Sequence, residues 1–221
     1  MKGAHGFGAG LRRTVLLRVA AAAALCAQTV WACGLLAPQQ GSSRFFILTP
    51  VKAGSAGTTG AAQLAVGLGP IRFPDYLKRT QVVTRTGPNS VRVSESDRWA
   101  EPLDASFRQV MALNLARLLG TDQVVLFPWY SSTHIDYQVE IDVGRFDTDT
   151  AGAAHLVTRW VVRDTRGRAV ISQSSDLTAQ TPTAGPAAGA GALSQVLGEL
   201  SREIAGVIDQ AYVGLKQRRR S

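Results

Sequence analysis

The stretch Asp136-Tyr-Gln-Val-Glu-Ile-Asp-Val143 (DYQVEIDV) alternates without a break. Tyr137, Val139, Ile141 and Val143 fall on one side, and Gln138, Glu140 and Asp142 on the other. Successive side chains of a strand point to opposite faces, so this is a half-buried β-strand lying on a core. Downstream, residues 155–163 and 168–174 read as two more strands. Asp164-Thr-Arg-Gly167 joins them as a hairpin turn, with Gly167 in place for a positive φ. Upstream, 123–127 is a short strand stopped by Pro128.

Beyond this block the period changes. Leu103, Phe107, Val110, Met111, Leu115, Leu118 and Leu119 form one stripe at helical spacing. Pro102 stands at the first helical position, where a missing N–H costs nothing, with Glu101 beside the cap. Asp104 in the first turn and Arg117 in the last suit the helix dipole, and Gly120 ends the helix. A second helix is predicted over about 191–215, with Leu193, Val196, Leu197, Leu200, Ile204, Val207, Ile208 and Tyr212 as its stripe. The Pro/Gly/Ala-rich run 181–191 reads as a linker before it.

Toward the N-terminus, 81–85 and 91–95 flank a Thr86-Gly-Pro-Asn89 turn and make a hairpin. Residues 63–68 alternate as a strand. Pro70 and Pro74 bracket Ile71-Arg72-Phe73, which reads as an edge or a crossing loop because proline cannot donate to a ladder. Phe45-Phe-Ile-Leu48 is a first strand, and 52–62 a loop. The order of strands, helix, strands, helix predicts an α/β fold: a single mixed sheet with two main packed helices, in one domain over 44–215.

The first 32 residues are different. Lys2, Arg12, Arg13 and Arg18 precede an apolar run from Val19 to Ala27, and small residues follow. Basic start, short apolar middle and small-residue exit make a secretory signal peptide over 1–32. The run falls short of the ~20 apolar residues of a spanning helix; extended to Leu36 it becomes an uncleaved signal anchor, the alternative reading. Val30-Trp-Ala-Cys33 resembles a bacterial lipobox, which makes Cys33 the expected lipidation site and 33–43 a lipidated tether. Trp31 departs from the small or medium residue usual there. A Cys26–Cys33 disulfide or two idle thiols are the alternatives, but a bridge inside a removed leader would stabilise nothing. Acyl chains at ~0.8 kcal/mol per buried CH₂ would hold such a protein on a bilayer. Gly34, rather than an aspartate, follows the cysteine and favours the outer membrane.

The formal charge is +8, yet without the leader the chain carries 20 basic against 16 acidic residues. Lys216, Arg218, Arg219 and Arg220 supply that surplus as a basic tail over 216–221, which could touch anionic headgroups or stay solvated. The body is balanced, so no nucleic-acid partner is expected. No G-x-S-x-G, H-E-x-x-H, Walker A or G-x-G-x-x-G motif occurs, and neither catalytic residues, a cofactor nor a metal is expected. His134-Ile-Asp136 could supply a general base or two metal ligands, but reads as turn polarity; His155 reads as surface. Asp147-Thr-Asp-Thr-Ala-Gly152 begins like a calcium loop but lacks oxygens at its fifth and twelfth positions, Ala151 and Thr158, and reads as a turn. Two aromatic clusters, Phe73-Pro-Asp-Tyr-Leu77 and Phe127-Pro-Trp-Tyr130, could form a docking surface or cap the core.

Leu64-Ala-Val-Gly-Leu-Gly-Pro-Ile, Pro74-Asp-Tyr-Leu, Gln81-Val-Val-Thr-Arg-Thr-Gly and Asp97-Arg-Trp-Ala-Glu-Pro-Leu103 resemble successive signatures of the PqiC/YmbA family of ABC-type transport auxiliary lipoproteins. Asn114-Leu-Ala-Arg-Leu-Leu-Gly120, Arg145-Phe-Asp147, Arg159-Trp160 and Leu200-Ser-Arg-Glu-Ile204 continue the resemblance over about 45–212. It implies a non-catalytic lipoprotein on the periplasmic face of the outer membrane. It also implies as partners an MCE-domain periplasmic protein and its inner-membrane permease, and it leaves room for a homo-oligomer. Phe73, Tyr76, Leu77, Arg98 and Trp99, in the signature segments, are the candidate partner-binding residues. Arg98 and Glu101 could instead be an internal ion pair. An envelope assembly chaperone and a periplasmic hydrolase with His134 as base are the rival readings.

Overall fold

The alternation at 136–143 forms the first half of a thirteen-residue strand in a computed structural model that describes residues 42–52, 63–181, 183 and 185–218. The strands are β1 (Arg44–Phe46), β2 (Val66–Arg72), β3 (Gln81–Gly87), β4 (Ser90–Trp99), β5 (Val124–Leu126), β6 (Tyr137–Asp149), β7 (Ala154–Asp164) and β8 (Ala169–Ala179). The helices are α1 (Leu103–Leu119) and α2 (Pro186–Arg218). The strands form one mixed sheet, so the expected α/β fold with two main helices is the observed one.

β6 organises the sheet. One edge pairs antiparallel with β7 along its length, and β8 follows outside β7. The other edge is shared. β2 runs parallel to its first half and carries β5 outside it; β3 runs parallel to its last residues and carries β4 and β1. The strand outlasts its alternation because the register against β7 shifts between Val143 and Arg145. One extra residue there moves the inward set from odd to even numbers, and Phe146 and Thr148 take over from Val143. A period-two test fails at such a bulge. For that reason the expected turn at 147–152 is still strand through Asp149.

Inward side chains of β2, β6 and β7, among them Val66, Leu68, Val139, Ile141, Leu156 and Trp160, meet both helices. Phe107, Met111 and Leu115 of α1 and Leu197, Leu200 and Ile204 of α2 are all essentially inaccessible. Each such side chain stabilises the fold by about 1.5–3 kcal/mol when fully buried. Polar contacts fix the helix pair. Asn114 Nδ2 donates to Ser201 Oγ at 3.0 Å, and Asn114 Oδ1 accepts from the Val51 N–H at 2.8 Å. One buried amide thus ties α1, α2 and the chain leaving β1.

Two boundaries differ from expectation. Pro70, Ile71 and Arg72 belong to β2 and form the edge alternative of that reading, not the crossing loop. β5 pairs only with Val66–Leu68, and the register against β6 shifts between Leu68 and Ile71, so Pro70 sits where no ladder bond is required. The expected linker at 181–191 is largely helix, since α2 begins at Pro186. Its Gly189 serves close packing, because a Cβ there would lie 3.1 Å from Thr148 Cγ2.

Candidate functional site

Between β2 and β3 the chain must pass from one half of the β6 edge to the other, and residues 73–80 make that crossing. A short 3-10 turn, Asp75–Leu77, lies within it. Phe73 packs edge-on against Phe107 of α1 and Phe146 of β6, with centroids 5.0 and 6.3 Å away. Leu77 is 2% exposed. Tyr76 turns to a different partner, and its hydroxyl donates to Asp147 Oδ2 at 3.0 Å. Asp147 is fully enclosed and also receives Arg85 Nη2 at 3.1 Å and Arg145 Nε at 2.8 Å. The hydrogen bond to Asp147 is the main reason the Arg85 guanidinium holds its proton more tightly than usual. Burial, then the Asp147 charge, raises the Tyr76 phenol, so it stays a donor. One carboxylate therefore clamps the crossing to β3 and β6.

This placement separates the five side chains offered for docking. Phe73, Leu77 and Trp99 lie in the core, and Tyr76 is engaged with Asp147. Arg98 is half-buried on β4, and no ion pair with Glu101 forms; the nearby pair is Arg44 with Asp97, at 2.7 Å. The second aromatic cluster behaves oppositely. Tyr130 is 85% exposed and Phe127 49%. Trp129 lies over β2 because residue 67 is glycine: a Cβ there would meet Trp129 Cη2 at 2.8 Å. Phe127 and Trp129 meet edge to face at 5.4 Å. Val66 and Leu68 point to the helices, so Gly67 opens the opposite face, and the aromatics stand on that open face. Part of the signal was in the sequence, as small residues alternating with large ones in β2.

Both described histidines are paired with carboxylates. His134 Nε2 lies 3.0 Å from Asp136 Oδ1, whose other oxygen accepts the Ala65 N–H. His155 is only partly exposed, against the surface expectation, and its Nε2 lies 3.0 Å from Asp149 Oδ2. Asp149 Oδ1 accepts the N–H groups of Ala151 and Ala153, which closes the β6–β7 turn with the atoms a calcium loop would need. Burial works to raise the Asp149 carboxyl, but the bonds from His155 and Ala153 together hold it below its ordinary range. Among the described residues no group of three His, Cys, Asp or Glu could hold a metal ion.

Residues 46–205 match the model of the ABC-type transport auxiliary lipoprotein component family. The chain belongs to that family. A crystal structure of an uncharacterised protein resembles this auxiliary lipoprotein with a TM-score of 0.63 at 20% identity, covering 76% of this chain and 99% of that one. A Xanthomonas campestris protein of the DUF330 family gives the same TM-score and identity, over 78% and 99%. The PelC dodecamer from Paraburkholderia phytofirmans reaches 0.38 at 16% identity, over 72% and 93%. No curated protein matches the sequence.

In an auxiliary lipoprotein the two rims of the sheet differ in meaning. β1 runs antiparallel to β6, so it begins on the side of the sheet where β6 ends. A groove of about 500 Å³ lies at that rim, between the β3–β4 hairpin and the first turn of α2. Trp99, Val82 and Leu193 supply apolar walls, and Arg92, Glu95 and Asp97 a charged lip. α2 runs the other way and brings Tyr212 and Lys216 beside Asp136 and Tyr137, where β6 begins. At ~3.3 Å per residue the rims are about 40 Å apart. α2 therefore ends at the rim opposite the one where it begins. No helix among the described residues is long and apolar enough to cross a membrane. Cys33 and the expected signal peptide lie outside the described residues.

Proposed function

We propose that this auxiliary lipoprotein is a non-catalytic subunit of an MCE-type intermembrane lipid transport system. Lipidation at Cys33 anchors it to the periplasmic leaflet of the outer membrane, and it docks the conduit that an MCE-domain protein extends from its inner-membrane permease. The observation that carries this reading is the family match across most of the folded domain, 46–205. The exposed Phe127-Pro128-Trp129-Tyr130 loop is the docking surface. Aromatic side chains dominate interface hot spots because they bury large area at small entropic cost; here Phe127 and Trp129 meet on an open sheet face, with exposed Tyr130 next in the chain. The role proposed for Phe73, Tyr76, Leu77, Arg98 and Trp99 is support: they fix the crossing and the start of α1 that hold the sheet in shape.

The test is photo-crosslinking from position 130 in cells that make the full chain. A crosslinked MCE-domain protein is expected there, absent from a control at exposed Lys78, and Trp129→Ala should reduce its yield. Recovery of a different envelope complex would favour the assembly-chaperone reading. Equal yields from both positions would refute the surface.

A further inference from the structure

The rim where β6 begins holds a cavity of about 340 Å³ whose lining includes Asp136, Tyr137, Asp164, Arg166, Tyr212 and Lys216. Tyr137 is 2% exposed, and its hydroxyl has no hydrogen-bond partner among the described residues. A buried hydroxyl left so destabilises the fold, and an acceptor reaching it recovers that loss. Tyr137 belongs to the cavity wall with its hydroxyl enclosed, and Asp136, Asp164 and Tyr212, which after burial raise its pKa, belong to the same wall. It is therefore a neutral donor at ordinary pH.

The two carboxylates are already engaged. Asp136 takes His134 and the Ala65 N–H. Asp164 accepts the N–H groups of Arg166 and Arg168, and pairs with the Arg168 side chain at 2.8 Å. The Arg166 guanidinium makes no ion pair among the described residues. The Lys216 ammonium rests 4.6 Å from the Tyr212 ring centre, held by a cation–π contact that a stronger acceptor would outbid. With Arg168 counted, the lining carries three cations against two carboxylates.

We propose that this cavity binds a phosphate group carried on a small polar body, with the Tyr137 hydroxyl, Arg166 and Lys216 donating to its oxygens. Three separate donors suit a phosphate, which offers at least three acceptor oxygens where a carboxylate offers two. Tyr212 and Leu215 give the carrier an apolar wall. The volume lies at the small end of ligand sites. The phosphate could come from a soluble ester or from a phospholipid headgroup. Only the headgroup form rests on the transport reading.

The test is calorimetric titration of the full lipidated chain in detergent with glycerol phosphate, inorganic phosphate and a short-chain phosphatidylglycerol. Saturable glycerol phosphate binding is expected, weakened by about tenfold or more in Tyr137→Phe and in Arg166→Ala, as loss of a charge-assisted bond requires. Lys78→Ala should bind as the parent does. Circular dichroism would show that each variant is folded. Tighter binding of the short-chain lipid than of the ester, with the same sensitivity to Tyr137, identifies the headgroup; equal or weaker binding identifies the soluble ester. Absence of saturation by millimolar ester, or binding unchanged in both variants, overturns the proposal. Neither result bears on the crosslink from position 130, so the two readings fail separately.

Discussion

Replacing Asp147 by asparagine keeps the side-chain volume and removes the charge that Arg85 and Arg145 share. The carboxylate accepts from the Tyr76 hydroxyl, from Nε and Nη2 of Arg85, and from Nε of Arg145. An asparagine offers one acceptor oxygen and turns an NH₂ group toward a guanidinium. Removing one partner of a buried ion pair costs about 3–5 kcal/mol. Each arginine side chain is 24% exposed and can regain some water, which favours the lower end, about 3 kcal/mol. Domains of this kind are stable by only ~5–15 kcal/mol, so the loss is large. Urea unfolding of the full chain, followed by tryptophan fluorescence, reads it directly. With an m-value of ~2 kcal/mol/M the midpoint should fall by about 1.5 M. Tyr76→Phe removes a donor to that carboxylate and an acceptor for Arg85 Nη2, and should cost about 1.5–2 kcal/mol. Because both changes touch one network, the double variant should lose less than their sum. An Asp147→Asn variant within 1 kcal/mol of the parent would refute the clamp, as would strict additivity with Tyr76→Phe.

Gly67→Val should push Trp129 off β2, given the 2.8 Å approach a Cβ alone would make, and cost about 1–3 kcal/mol; the emission of the displaced indole should shift to the red. The Asp149 carboxyl is held below its ordinary range in the fold, so its contribution is complete above the unfolded value of ~3.9 and is lost as pH falls through the lower folded value. Asp149→Asn should therefore flatten the acid limb of a melting-temperature profile taken between pH 6 and 2, and leave its alkaline limb alone. His134 is 75% exposed; His134→Ala should change stability by less than ~0.5 kcal/mol and leave envelope resistance to detergent intact, whereas a loss of that resistance would revive the hydrolase reading.

The sequence by itself determined the elements with local periodicity. The 136–143 alternation, the α1 stripe from Leu103 to Leu119 and the Asp164–Gly167 turn depend on spacing within a few residues, and spacing is what a sequence displays. It also carried the family signatures, because they run in order along the chain. Where local rules were interrupted, it misled. A bulge at Val143–Arg145 ended the alternation early, and Pro and Gly in 181–191 disguised the first turns of a helix. Tertiary structure alone decided which aromatics are free. Phe73 and Phe127 sit in similar proline-containing runs, yet one meets Phe107 and Phe146 while the other stands on the open face above Gly69. Arg145 is a local partner of Asp147, but tertiary structure chose the other two, Arg85 and Tyr76, which come from 62 and 71 residues away. Burial depends on which distant segments the sheet brings together, and here that follows from one strand, β6, sharing an edge between two neighbours.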